Sequence, residues 1–231
     1  MIKLCNITKY LKKSFCENTL KLAFIKMHEN QLNINGKKIL VTGFGPFDNH
    51  IINASWEAVK ELSKLWPQSE LCNTQLITKQ IPVSYEYVST QISKLWQEHD
   101  PIIVIHVGVS YKASCLTIEH VAHSTGYVRP DIDGKCPNEI CTVCQILKTD
   151  INVNKLCDSI NENSKESGCK ACISHDAGRY LCEYIFYQSL NIGTQKTLFV
   201  HVPDLHVYSS MQTSKGLYDI IYFLVKNLND D

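Results

Sequence analysis

At 231 residues, with 44% hydrophobic and 20% charged side chains, the chain is long enough for one sizeable α/β domain around a buried core. Its 23 basic and 23 acidic residues give a formal net charge of zero, which argues against nucleic acid or an anionic membrane surface as partner. No apolar run approaches the roughly 20 residues that span a bilayer, and the N-terminus lacks the apolar core of a secretory signal, so a cytoplasmic protein is expected.

Residues 1–36 scatter Lys3, Lys9, Lys12, Lys13, Lys21 and Lys26 among apolar residues and read as an N-terminal extension, helical or disordered, ahead of one domain over 37–231. Within that domain, Ile39–Thr42 reads as a strand, Ser55–Leu65 as a helix, Leu76–Val83 as a second strand and Tyr85–His99 as a second helix. Ile102–Val107, bounded by Pro101 and Gly108, has the continuous apolar character of a strand buried on both faces. Thr117–His123 reads as extended and Pro130–Asn152 as an irregular excursion. Helix, strand, helix, strand and helix then follow over Val153–Ser167, Ala171–Ser174, Arg179–Leu190, Thr197–Val202 and Met211–Asn229. The alternation predicts a single-domain α/β fold, with a twisted, largely parallel, mixed sheet and helices on both faces.

Chemistry concentrates late in the chain. The run Ser174-His175-Asp176-Ala177-Gly178-Arg179-Tyr180-Leu181-Cys182 reads as strand end, Gly-containing turn and helix start, which puts Cys182 near a helix N-terminus. Unpaired N–H groups and the helix dipole stabilise a thiolate there. His201, in Leu198-Phe199-Val200-His201-Val202-Pro203, is a candidate base for that thiol, although the local sequence taken alone fits a core cysteine and a structural histidine better. Gly43-Phe44-Gly45-Pro46-Phe47 follows the first strand, where open α/β sheets build ligand sites. It lacks the third Gly of a dinucleotide loop and the Lys of a P-loop, and Pro46 removes an N–H. Its two Phe rings form either an apolar wall for a small flat ligand or a plug at the sheet end. Glu119, in Leu116-Thr117-Ile118-Glu119-His120, is either a solvated strand carboxylate or the group that orients His201. Among the 11 cysteines, Cys141-x-x-Cys144 and Cys169-x-x-Cys172 have the look of two halves of a four-thiolate zinc site, while strand alternation turns Cys172 away from its neighbours.

Five segments in order carry a family resemblance: Val41-Thr42-Gly43-Phe44-Gly45-Pro46-Phe47, Asn53-Ala54-Ser55-Trp56, His106-Val107-Gly108-Val109-Ser110, Asp176 to Cys182, and Phe199-Val200-His201-Val202-Pro203. Over roughly residues 38–228 the chain resembles the pyroglutamyl-peptidase I family of cysteine peptidases, and Val109 with the Cys-bearing loop is more similar to animal than to bacterial members. The resemblance implies a 37–231 catalytic domain in which Cys182 is the nucleophile, His201 the base and Glu119 the acidic third member. Phe44 and Phe47 then line the lactam pocket. It implies hydrolysis, through a thioester acyl-enzyme, of the bond after an N-terminal pyroglutamyl residue, with peptides bearing that residue as substrates. No cofactor or metal is expected. The sequence leaves the oligomeric state open, a monomer being preferred. The alternatives are a zinc- or redox-responsive binding protein using Cys141, Cys144, Cys169 and Cys172, and a non-catalytic relative that binds such peptides without cleaving them.

Overall fold

Three near-continuous apolar runs make the centre of the sheet: β1 (Lys38–Phe44), β3 (Ile103–Val109) and β8 (Lys196–Val202), almost every residue of which is buried. Strands with both faces covered need apolar side chains at consecutive positions, which is the pattern they carry. The computed structural model describes residues 34–47, 51–137, 144–193 and 196–228. The fold is that of the unit Gly36–Asp231. Most of the expected N-terminal extension, residues 1–33, lies outside the described residues, as does Cys141.

The sheet is completed by β2 (Gln75–Ile81), β4 (Leu116–Glu119) and β7 (Ala171–Ser174), in the order β2-β1-β3-β8-β4-β7. All neighbours run parallel except β4 and β8, which are antiparallel. A separate antiparallel ladder joins β5 (Val121–His123) to β6 (Ile146–Lys148). Among the described residues six helices cover the faces: α1 (Ala54–Leu65), α2 (Tyr85–His99), α3 (Val153–Glu162), α4 (Ser164–Ser167), α5 (Leu181–Ile192) and α6 (Ser210–Lys226). On one face α6 packs against α1 and α3, and on the other α2 packs against α5 over Leu40, Val104 and Phe199. No helix among the described residues is long and apolar enough to cross a membrane.

Three boundaries depart from the sequence expectation. The extended segment Thr117–His123 divides at His120, whose N–H donates to Ser174 O while its carbonyl accepts from Thr149 N, so the chain leaves the large sheet for the small ladder. The expected helix over Val153–Ser167 breaks at Asn163 into α3 and α4. The excursion Pro130–Asn152 contains the short strand β6, too brief and too exposed to show a period.

A buried polar chain ties the layers together on the α2 and α5 side. The His106 ring bonds to Thr42 Oγ1 and to Ser189 Oγ, each at 2.7 Å, and Trp96 Nε1 donates to the same Ser189 oxygen at 3.2 Å. These links join β1, β3, α2 and α5. Burial pushes the His106 imidazole down from 6.5 to about 3, because charge there would lose its water without gaining a counter-ion. The neutral form therefore belongs to the native state. Its contribution to stability is intact above pH 6.5 and lost as the pH falls toward 3, at about 1.4 kcal/mol per pH unit while only the unfolded chain is protonated. Urea titrations between pH 7 and 4 should show that slope in the wild type and a shallower one in His106→Gln.

Candidate active site

Cys182 is the second residue of α5, whose N-cap, Tyr180, offers no side-chain hydrogen bond to the first turn. The opening N–H groups of a helix have no partner within it, so here they remain as donors beside the thiol. The turn that aims them depends on Gly178, at φ +82, whose N–H donates to Asp176 Oδ1 at 3.1 Å. An L side chain is strained in that left-handed conformation.

His201 lies on β8 opposite Thr117 of β4, and Gly108 of β3 is its partner on the other side. Thr117 stands directly opposite His201, so Glu119, two residues further along β4, projects on the same face as His201. Its Oε1 meets His201 Nδ1 at 2.7 Å. The carboxylate is 1% exposed and the imidazole 9%, so the pair is shielded from water. Glu119 Oε2 is buried with no hydrogen-bond partner among the described residues, leaving its charge directed at His201 through the other oxygen. The ring also hydrogen-bonds to the Cys182 side chain and packs edge-on to Phe199, with centroids 4.8 Å apart. Burial works against charge on the ring, yet the Cys182 sulfur and the Glu119 carboxylate outweigh it and push His201 up to about 10. An imidazolium held between a sulfur and a carboxylate can supply a proton to a leaving group and, once neutral, take one from water.

The thiol has room because residue 108 has no side chain. A Cβ there would stand 2.8 Å from Cys182 Sγ and 2.7 Å from Phe199 Cζ, closer than such atoms approach. Gly108→Ala is therefore expected to displace the sulfur and to cost about 1–3 kcal/mol through overpacking. Slower alkylation of Cys182 by iodoacetamide, together with a lowered melting temperature, would register both effects.

Cys182, His201 and Glu119 open on a cleft of about 820 Å³, also lined by Phe44, Phe47 and Asn53. Phe44 is 4% exposed and belongs to the core, with Phe47 packed against it, so the plug and the wall are the same pair of rings. Asn53 fixes their loop by donating to Gly45 O at 2.9 Å while its Oδ1 accepts from Ser55. Ser55 Oγ in turn accepts from Phe44 N at 3.0 Å.

Sequence reasoning assigned no role to the support beneath α5. Glu183, fully buried next to the thiol, accepts from Arg179 Nη1 at 2.7 Å and from His123 Nδ1 at 2.7 Å. Burial raises the Glu183 carboxyl, opposed by His123 and Arg179. Arg179 also donates to Asp176 Oδ1 at 2.8 Å, so one guanidinium holds both the turn and the helix that meet at Cys182. The four-residue spacing of Arg179 and Glu183 was the available signal. The four-thiolate zinc arrangement does not form from its described members. Cys169 is buried with its sulfur against Gln212 O of α6, whereas Cys172 is exposed on the opposite face.

A family model described as pyroglutamyl peptidase matches residues 37–218. Pyroglutamyl-peptidase 1 of Rattus norvegicus is 39% identical over 189 residues, covering 80% of this chain and 88% of that protein, and the Homo sapiens protein is 38% identical with the same coverage. Pyrrolidone-carboxylate peptidase of Bacillus subtilis is 31% identical over 190 residues, covering 78% and 85%. Among solved structures, pyroglutamyl peptidase I from Bacillus amyloliquefaciens superposes with a TM-score of 0.69 at 24% identity, over 82% of this chain and 95% of that one, a likeness of fold.

Proposed function

The chain belongs to the pyroglutamyl peptidase family and is a cysteine exopeptidase that removes N-terminal pyroglutamate, and we propose that Cys182, His201 and Glu119 carry its reaction. The observation that supports this assignment is the contact chain from the Cys182 thiol through the His201 ring to the buried Glu119. In this reading the Cys182 sulfur attacks the carbonyl that links pyroglutamate to the next residue. First-turn N–H groups of α5 receive the oxyanion. Protonated His201 gives its proton to the departing amine as the C–N bond breaks, leaving a thioester. Neutral His201 then takes a proton from water, which attacks the thioester and frees pyroglutamate. Glu119 orients the ring and balances its charge throughout.

Phe44 and Phe47 account for the selectivity. A lactam carries no ammonium, so an apolar wall accepts it at little desolvation cost, while an ordinary N-terminal amine would have to shed its water or its charge to enter. The reading includes a cytoplasmic enzyme acting as a monomer, with all three reacting groups on one chain. Its test is the release of a fluorescent amine from pyroglutamyl, prolyl and glutamyl amides under reducing conditions with chelator present. Turnover of the pyroglutamyl amide alone is expected, and comparable turnover of the prolyl amide would overturn the role of the apolar wall in reading the lactam.

A further inference from the structure

Cys115, immediately before β4, and Cys172, in β7, bring their sulfurs to 3.3 Å. Thr117 stands in register with Cys172 on one side and His201 on the other, so Cys172 and Cys115 project on the same face as His201. Gly108, His201, Thr117 and Cys172 thus form one row across β3, β8, β4 and β7. Thr117 Oγ1 lies 3.6 Å from Cys172 Sγ and 3.5 Å from Cys115 O, wedged between the thiol pair and the imidazole. Cys172 is exposed and Cys115 partly so. By contrast, Cys157 and Cys169 are buried with their sulfurs against the carbonyls of Ala171 and Gln212.

We propose that Cys115 and Cys172 are a dithiol modification site, reversibly oxidised to an intramolecular disulfide by low-molecular-weight disulfides of the glutathione class. The exposed Cys172, as thiolate, attacks one sulfur of the oxidant and a glutathione thiolate leaves. Cys115, giving its proton to solvent, then attacks the Cys172 sulfur of the mixed disulfide and expels the second glutathione. The protein loses two electrons and two protons, and the oxidant becomes two thiols. The sulfurs must close from 3.3 Å to about 2.0 Å, a movement available to partly exposed side chains at the sheet edge. The bond would link the strand that leads into the Cys182 turn to the strand that carries Glu119.

Full-length reduced protein equilibrated over a series of glutathione ratios, acid-quenched, alkylated with N-ethylmaleimide and digested with trypsin tests the proposal. Cleavage after Lys112, Lys135, Lys170 and Arg179 places Cys115, Cys172 and Cys182 in separate peptides and parts Cys172 from Cys169. The expected result is a cross-linked pair, residues 113–135 with residues 171–179, that grows with the oxidised fraction and disappears under dithiothreitol. Cys172→Ser should lose that product, and the Cys115 peptide should be recovered unlinked. Recovery of both wild-type peptides as alkylated or singly glutathionylated species across the range that oxidises Cys182, or linkage of Cys172 to a different cysteine, would overturn it.

Discussion

Cys182→Ala should lower turnover of a pyroglutamyl amide by about 10⁵-fold or more, since loss of a nucleophile that acts as a unit with its base removes nearly the whole chemical advantage. The substitution removes a partly buried sulfur and breaks no backbone contact, so the fold should persist with a near-normal melting temperature. The variant has a second readout. The Cys182 sulfur is the largest of the influences that raise His201 toward about 10, so the imidazole should titrate at lower pH once it is gone. Following the ring protons by NMR between pH 6 and 11 would show it. An unchanged His201 titration would mean that the sulfur and the ring are not electrostatically linked, and residual turnover near wild type would transfer the nucleophile's role elsewhere.

Glu119→Gln tests the third member. The amide keeps the shape and one hydrogen bond but removes the charge, and His201 is then free to present the wrong tautomer. By comparison with carboxylate removal in other triads, kcat should fall by about 10³–10⁴-fold with KM little changed. The pH dependence follows from the same pair. His201 is raised from 6.5 to about 10, so its favourable contacts contribute stability fully below pH 6.5 and lose it as the pH rises toward 10. The alkaline decline in kcat/KM reports the same loss of the proton that the leaving amine needs. In Glu119→Gln both declines should begin at lower pH. Urea midpoints at pH 7 and 9.5, measured beside the rate profile, check the two together, and profiles that superpose on the wild type would remove Glu119 from the site.

How much of this was readable in advance depended on whether the determining contacts were local. Helix α2 was expected over the residues it occupies, Tyr85–His99, because Ser84 caps it and its apolar face repeats with the helical period. Strand β3 showed as a nearly continuous apolar run because both its faces are covered, and its one polar side chain, His106, is hydrogen-bonded on both ring nitrogens. The place of Cys182 at a helix start was likewise visible in the Gly178 turn. The facing of Glu119 was not, since alternation along a four-residue strand tells only which residues share a face. What turns it toward His201 is the register of β4 on β8, with Thr117 opposite His201, a long-range pairing. Gly108 is the same kind of case: nothing beside it in the chain announces that a sulfur from residue 182 will occupy the space of its missing side chain.

The strand order has a bearing on when the protein acquires its reactivity. β8, the latest in the chain of the strands that make the large sheet, does not add to an edge but enters between β3 and β4. Until about residue 202 has left the ribosome, one flank of β3 has no neighbour, the β4–β7 pair has no strand joining it to β3, and His201 is missing from beside Glu119. Cys182 therefore has no imidazole beside it until β8 is in place. Closure of the sheet and the meeting of Cys182, His201 and Glu119 are one long-range event that must first overcome the entropy of closing long loops, so folding should be slower than the helix content suggests. Under the proposed mechanism, hydrolysis begins only when that closure is complete.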